Sequence, residues 1–219
     1  MSALTYVVLD LETTSSDEHA GAIWEVAAVG LDETLQEVFR YSTPITQEAD
    51  DDRQISPFIY EMHKASGLWD DVYALASDLD HPLLDLTDDQ GRYIHPYIAN
   101  ADDLLSTAIH ASADETVVLC GSGVSHFDFR WLKCHMPKTA SCFKHYTIDV
   151  GSMRRWYKAV VGDDLTAADQ RKTHRALDDV DCHIEELIEF AALFVRDASF
   201  RDYIFATENT NPTKENIPA

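Results

Sequence analysis

The run Leu4-Thr5-Tyr6-Val7-Val8-Leu9 leads without a charge straight into Asp10-Leu11-Glu12-Thr13-Thr14. An apolar, β-branched run of this kind reads as a central strand leaving the core, which commits the chain to a sheet. Strand residues two apart point the same way, so Asp10 and Glu12 project to one side. The pair alone says little. With 39 acidic residues among 219, roughly seven acidic-x-acidic pairs arise by chance. Its position sets it apart, because carboxylates at the exit of a buried strand are partly desolvated and costly unless cations compensate them. The plainer alternative is a strand end that simply reaches solvent.

Further strands are expected over Ile23–Leu31 and Leu35–Ser42, joined by the turn Asp32-Glu33-Thr34, and over Thr116–Cys120 and Tyr146–Val150. Helices are expected from Pro57 through His63, from Trp69 to near Leu79, over Ile98–Ala111 and Phe127–His135, and after Val150 through Val160. The clearest helix is Ala176–Val195, where Leu177, Val180, Ile184, Leu187, Ile188, Ala191 and Val195 recur on one face. Residues 80–97, rich in Asp, Pro and Gly, read as a surface insertion. A calcium loop at Asp85-Leu86-Thr87-Asp88-Asp89 fails, since Gly91 comes one place late and Pro96 stands where a bidentate Glu belongs. From Thr207 onward periodicity is lost, so one domain over 1–206 and a disordered tail over 207–219 are expected.

Two later segments carry acidic residues in telling places. Asp128 opens the helix that follows a Gly-Ser-Gly turn, where a carboxylate is also ordinary capping chemistry. His174 and Asp179 are five apart, which on a helix means about 140° of separation. They can converge only if His174 lies on the entering loop and Asp179 within the helix. A lone histidine in such a place is more often a plain surface residue.

Taken in order, Asp10-Leu11-Glu12-Thr13-Thr14, the helix-opening Asp128 and His174-Arg175-Ala176-Leu177-Asp178-Asp179 resemble the motifs of DEDDh (DnaQ-like) 3′→5′ exonucleases, and of oligoribonucleases in particular. The likeness extends to His63-Lys64-Ala65-Ser66-Gly67-Leu68, Cys120-Gly121, Met136-Pro137 and Asp149-Val150. It covers most of residues 4–195 outside the 80–97 segment.

The resemblance implies an α/β, ribonuclease H-like fold: a mixed sheet of about five strands, the first three antiparallel, flanked by helices. It implies that Asp10, Glu12, Asp128 and Asp179 hold two Mg²⁺ or Mn²⁺ ions, hard cations suited to oxygen ligands. Two such ions, about 3.5–4 Å apart, activate a water and stabilise the leaving oxygen. His174 would take the water's proton, an imidazole being suited to that task near neutral pH. Phe58 would stack on a terminal base, Leu11 would wedge against the terminal bases, and Thr13, His63 and Ser66 would face the substrate. Two departures stand out: Ser15 where the family has Gly, and Thr147 after His145-Tyr146 where oligoribonucleases have an arginine. In those enzymes that run comes from the partner subunit, so Tyr146 is expected at the site of a homodimer, with selectivity for dinucleotides in question.

Composition bears on the partner. The net charge is −22, with 17 basic residues against 39 acidic. Gripping long nucleic acid normally needs a basic face. Either the surface is merely highly soluble, or long polyanions are repelled while short ones are held at metal. The expected substrate is short single-stranded RNA at its 3′ end, with DNA 3′ ends as the rival and an inactive binding module as a rival of another class. No apolar run approaches the roughly 20 residues that span a bilayer, no export signal is evident, and four scattered cysteines suit reduced thiols in a cytoplasm. Zinc at Cys134-His135, Cys142 and His145 lacks the close pairs such sites use. Gly121-Ser122-Gly123 does not fit a nucleophile elbow.

Overall fold

The computed structural model describes residues 3–46, 55–77, 97–165 and 173–196. The 207–219 segment, and all of 80–97 but its last residue, lie outside them. The apolar run at the N-terminus becomes β1 (Leu4–Thr13), the middle strand of a five-stranded sheet ordered β3-β2-β1-β4-β5. On one side β1 pairs antiparallel with β2 (Ile23–Asp32), which pairs antiparallel with β3 (Glu37–Pro44). On the other side β4 (Val117–Gly121) and β5 (Phe143–Asp149) run parallel to it.

Both faces of this sheet are covered. Val7, Leu9 and Leu11 pack with Val26 and Ala28 against α3 (Ile98–Ser112) and α4 (Asp128–His135), through Leu105, Ile109, Trp131 and Leu132. The alternate residues Val8, Ala27, Val29 and Cys120 pack against α6 (Val150–Val161) and α7 (Ala176–Arg196), through Val150, Ala176, Val180 and Leu187. Two covered faces explain why β2 is buried at all ten positions instead of alternating. They also set the direction of the acidic pair: Asp10 and Glu12 share the Val8 face, toward α7. The hairpin α1 (Pro57–Ala65) and α2 (Leu68–Ser77) packs Leu68 and Val72 on Trp24 near the mouth of β1. Among the described residues no helix is long and apolar enough to cross a membrane.

Three boundaries differ from expectation. The β2–β3 turn includes Leu35 and Gln36, because Asp32 Oδ1 accepts the Thr34 and Gln36 amides at 2.8 and 3.0 Å and Leu35 takes a left-handed φ of 63°. The short helix α5 (Pro137–Ser141) was not expected; buried Asp102 of α3 accepts its Lys138 and Thr139 amides at 3.1 and 2.7 Å, a capping partner far away in sequence. Strand β5 begins at Phe143 rather than Tyr146, since Lys144 and His145 lie on a partly exposed edge that blurs the apolar signal.

Candidate active site

Strand β1 outruns its parallel neighbour. The β1–β4 register ends at Val8↔Cys120, and Gly121 then passes so close to β1 that a Cβ there would lie 2.6 Å from the Leu9 carbonyl oxygen. The chain turns away through Ser122–Phe127 into α4. The Leu11 N–H faces this gap and donates to Asp128 Oδ1 at 3.2 Å. Asp128 thereby serves a strand amide that has lost its ladder partner, and it stands beside the acidic pair.

From the other face comes α7. It starts at Ala176, so His174 lies on the entering loop and Asp179 in the first turn. The helix rests on β1 and β2 through Ala176, Val180 and Leu187, and that packing carries Asp179 to the strand's acidic exit. Donor atoms of Glu12, His174 and Asp179 lie within 4.8 Å of one another. Asp10 sits two residues before Glu12 on the same face. Glu12, Asp128 and Asp179 are each more than nine-tenths buried, whereas His174 is exposed. Of the five expected catalytic residues, the 4.8 Å group holds Glu12, His174 and Asp179, a carboxylate-rich set that suits a hard divalent cation, while Asp10 and Asp128 flank it through Leu11.

The remaining expected residues divide. Phe58 is 77% exposed on α1, which removes the alternative of a core role. Tyr146 is half exposed on β5, its ring edge-on to His145. Leu11 is buried with Val7 and Leu9, on the strand face opposite Asp10 and Glu12. His63 is fully buried. Its Nε2 donates to the Thr13 carbonyl at 3.0 Å, which leaves Nδ1 3.9 Å from Glu12 Oε2. Burial lowers the His63 pKa, outweighing the Thr13 hydrogen bond and aided by nearby His174. Ser66 caps the helix ends: its hydroxyl donates to the His63 carbonyl at 3.1 Å and accepts from Leu68 N. Thr13 is buried and donates to the Ser15 carbonyl at 2.8 Å. Ser15 fits because Gly21 lies against it; a Cβ on Gly21 would fall 2.6 Å from the Ser15 Cβ.

Sequence reasoning missed Glu25. It is 2% exposed in β2 and is the register partner of Glu12. The available signal was an acid inside the apolar run Ile23–Leu31.

Comparison with known proteins places this geometry. No family model matches the chain. The oligoribonuclease of Actinobacillus pleuropneumoniae is 26% identical over 189 residues, covering 85% of this chain and 92% of the relative. That of Mycobacterium avium is 29% identical over 190 residues, covering 83% and 77%. Among solved structures, E. coli exonuclease I in complex with a dA13 oligonucleotide aligns with a TM-score of 0.54 at 14% identity. The match covers 94% of this chain but 43% of that one, so the chain spans less than half of exonuclease I. The chain is thus similar to oligoribonucleases along most of its length, and it shares its fold with exonuclease I.

Proposed function

We propose that the chain is an exoribonuclease that removes nucleoside 5′-monophosphates from the 3′ ends of short single-stranded RNA. The observation that carries this reading is the meeting of Glu12 and Asp179, from opposite ends of the chain, with His174 inside 4.8 Å. Asp10, Glu12, Asp128 and Asp179 would hold two divalent cations, Mg²⁺ or Mn²⁺. Such ions supply a more acidic water and positive charge for the leaving 3′-oxygen. The carboxylates do the holding. Glu12, Asp128 and Asp179, buried before substrate arrives, would need little rearrangement during the reaction.

His174, exposed at the mouth, takes the proton of the attacking water. Phe58 offers a ring on which a terminal base can stack, a contact worth about 1–3 kcal/mol per base. Thr13 lines the strand end that meets the 3′ nucleotide. A homodimer follows the family resemblance, and a second copy would present Tyr146 to this site without the family arginine, Thr147 standing in its place. The net charge of −22 favours short chains, whose few phosphates bring little repulsion. The setting we assign is the cytoplasm, where four scattered cysteines would stay reduced thiols.

A time course on 5′-labelled RNA from dinucleotides upward, with Mg²⁺, Mn²⁺ or chelator and matched DNA, tests the reading. Stepwise 3′ shortening of the short RNAs, abolished by chelator, is the expected result. Faster hydrolysis of DNA would transfer the chemistry to DNA 3′ ends. No hydrolysis and no calorimetric Mn²⁺ binding would leave a binding module.

A further inference from the structure

We propose that Glu25 is a positioning residue that, through Arg175 and the first amide of α7, fixes His174 and Asp179 against Glu12. The proposal rests on the exonuclease reading. Glu25 and Glu12 are directly opposed on neighbouring antiparallel strands, so their side chains share a face, and like charges there repel. A carboxylate that is 2% exposed is costly in such a place unless it is well partnered. Its partners all lie at the entrance of α7. Arg175 Nε donates to the two Glu25 oxygens at 3.3 and 3.2 Å, Arg175 Nη2 donates at 2.9 Å, and the Ala176 N–H donates at 2.9 Å. The same guanidinium meets Asp71 of α2 at 2.9 Å. One arginine therefore ties together β2, α2 and the start of α7.

The tie lies between the two donors that must converge. His174 immediately precedes Arg175 and has a φ of 56°. A residue other than glycine keeps that left-handed backbone only where its surroundings over-determine it. On the other side, the Asp179 N–H donates to the Arg175 carbonyl at 3.1 Å, closing the first turn of the helix. Glu25 supplies to Ala176 what a capping side chain normally supplies from within the helix's own sequence, and its charge suits the positive helix end. Held at Arg175 and Ala176, the helix start can neither swing nor slide along β1. Those are the motions that would part His174 and Asp179 from Glu12.

Two variants separate positioning from bulk stability. Glu25→Gln keeps the shape and removes the charge; Arg175→Lys keeps the charge and removes the planar fork. Each is assayed on a short RNA well below its melting temperature, with Mn²⁺ affinity measured by calorimetry. Both should lose about 10–100-fold in kcat and weaken Mn²⁺ binding, as is typical when a partner of a metal ligand is removed. KM should stay within about three-fold of wild type. Asp71→Asn, altering only the outer contact, should cost less than either. If folded Glu25→Gln or Arg175→Lys keeps kcat and Mn²⁺ affinity within about two-fold of wild type, or raises KM alone, the proposal is overturned. If Glu25→Gln does not fold, Arg175→Lys decides by the same criteria. A wild-type chain that neither cuts RNA nor binds Mn²⁺ would count against the exonuclease reading, a result distinct from either of these.

Discussion

Asp10 and Glu12 ride on the middle strand of the sheet, with helices over both of its faces, whereas His174 stands on the exposed approach to α7. The strand needs nothing beyond its own ladder and core to hold its direction. The loop takes a left-handed residue and the pairing of partly exposed Arg175 with buried Glu25 to hold its own. The contrast suits the chemistry that the proposed function gives each half. Groups that hold cations benefit from burial and rigidity, while a group that exchanges protons with water needs access to it. Phe58, further out on α1, is more exposed still and suits an adaptable contact with a base.

This gradient from buried to exposed can be broken experimentally, and the largest effects should come from the strand side. Glu12→Gln and Asp179→Asn should each remove detectable exonuclease activity and weaken Mn²⁺ binding in calorimetry. Persistent activity in either would show that the ions sit elsewhere. His174→Gln should lower kcat by about 10²–10⁴-fold, the usual contribution of a general base. If Mn²⁺ affinity falls as far as in Glu12→Gln, His174 belongs with the ligands rather than with the bases. Phe58→Ala should raise KM on short RNA by about ten-fold or more, with kcat little changed, as loss of one stacked base predicts.

The smallest effect concerns stability. His63 has a folded pKa lowered from 6.5 by burial, so below that value the unfolded chain takes up the proton more readily than the folded one. Its contribution is therefore present above the unfolded pKa and lost as pH falls through the lowered folded value. In chelator, the wild-type melting temperature should fall between about pH 7.5 and 5.5, and His63→Gln should flatten that slope. An equal slope in both proteins would place the titrating group elsewhere.

How much of this was legible in the sequence depended on the distance over which each residue's partners lie. Strand β1 and helix α7 were plain because an apolar run and a helical stripe are local patterns. The helical angle showed that His174 and Asp179 could converge only with His174 on a loop and Asp179 in a helix, which is where α7 puts them. Helix α5 was hidden because its cap comes from Asp102, outside any local window. The burial of Leu11 and His63 was not legible, because it is set by the layers that cover the sheet, which no motif states. Phe58 shows the reverse: an aromatic ring in a helix could have been core, and only packing left it outside. Glu25 was visible as an oddity, an acid among apolar neighbours, but its meaning required knowing that Arg175 would arrive opposite.

Glu12 and Asp179 belong to the first strand and the last described helix, with nearly the whole fold between them. Chains emerge from the ribosome N-terminus first, and domains generally fold as units. A nascent chain that has not yet released Asp179 holds only part of the cluster of Glu12, His174 and Asp179. The complete cluster can therefore form only once everything from β1 to the first turn of α7 has been made.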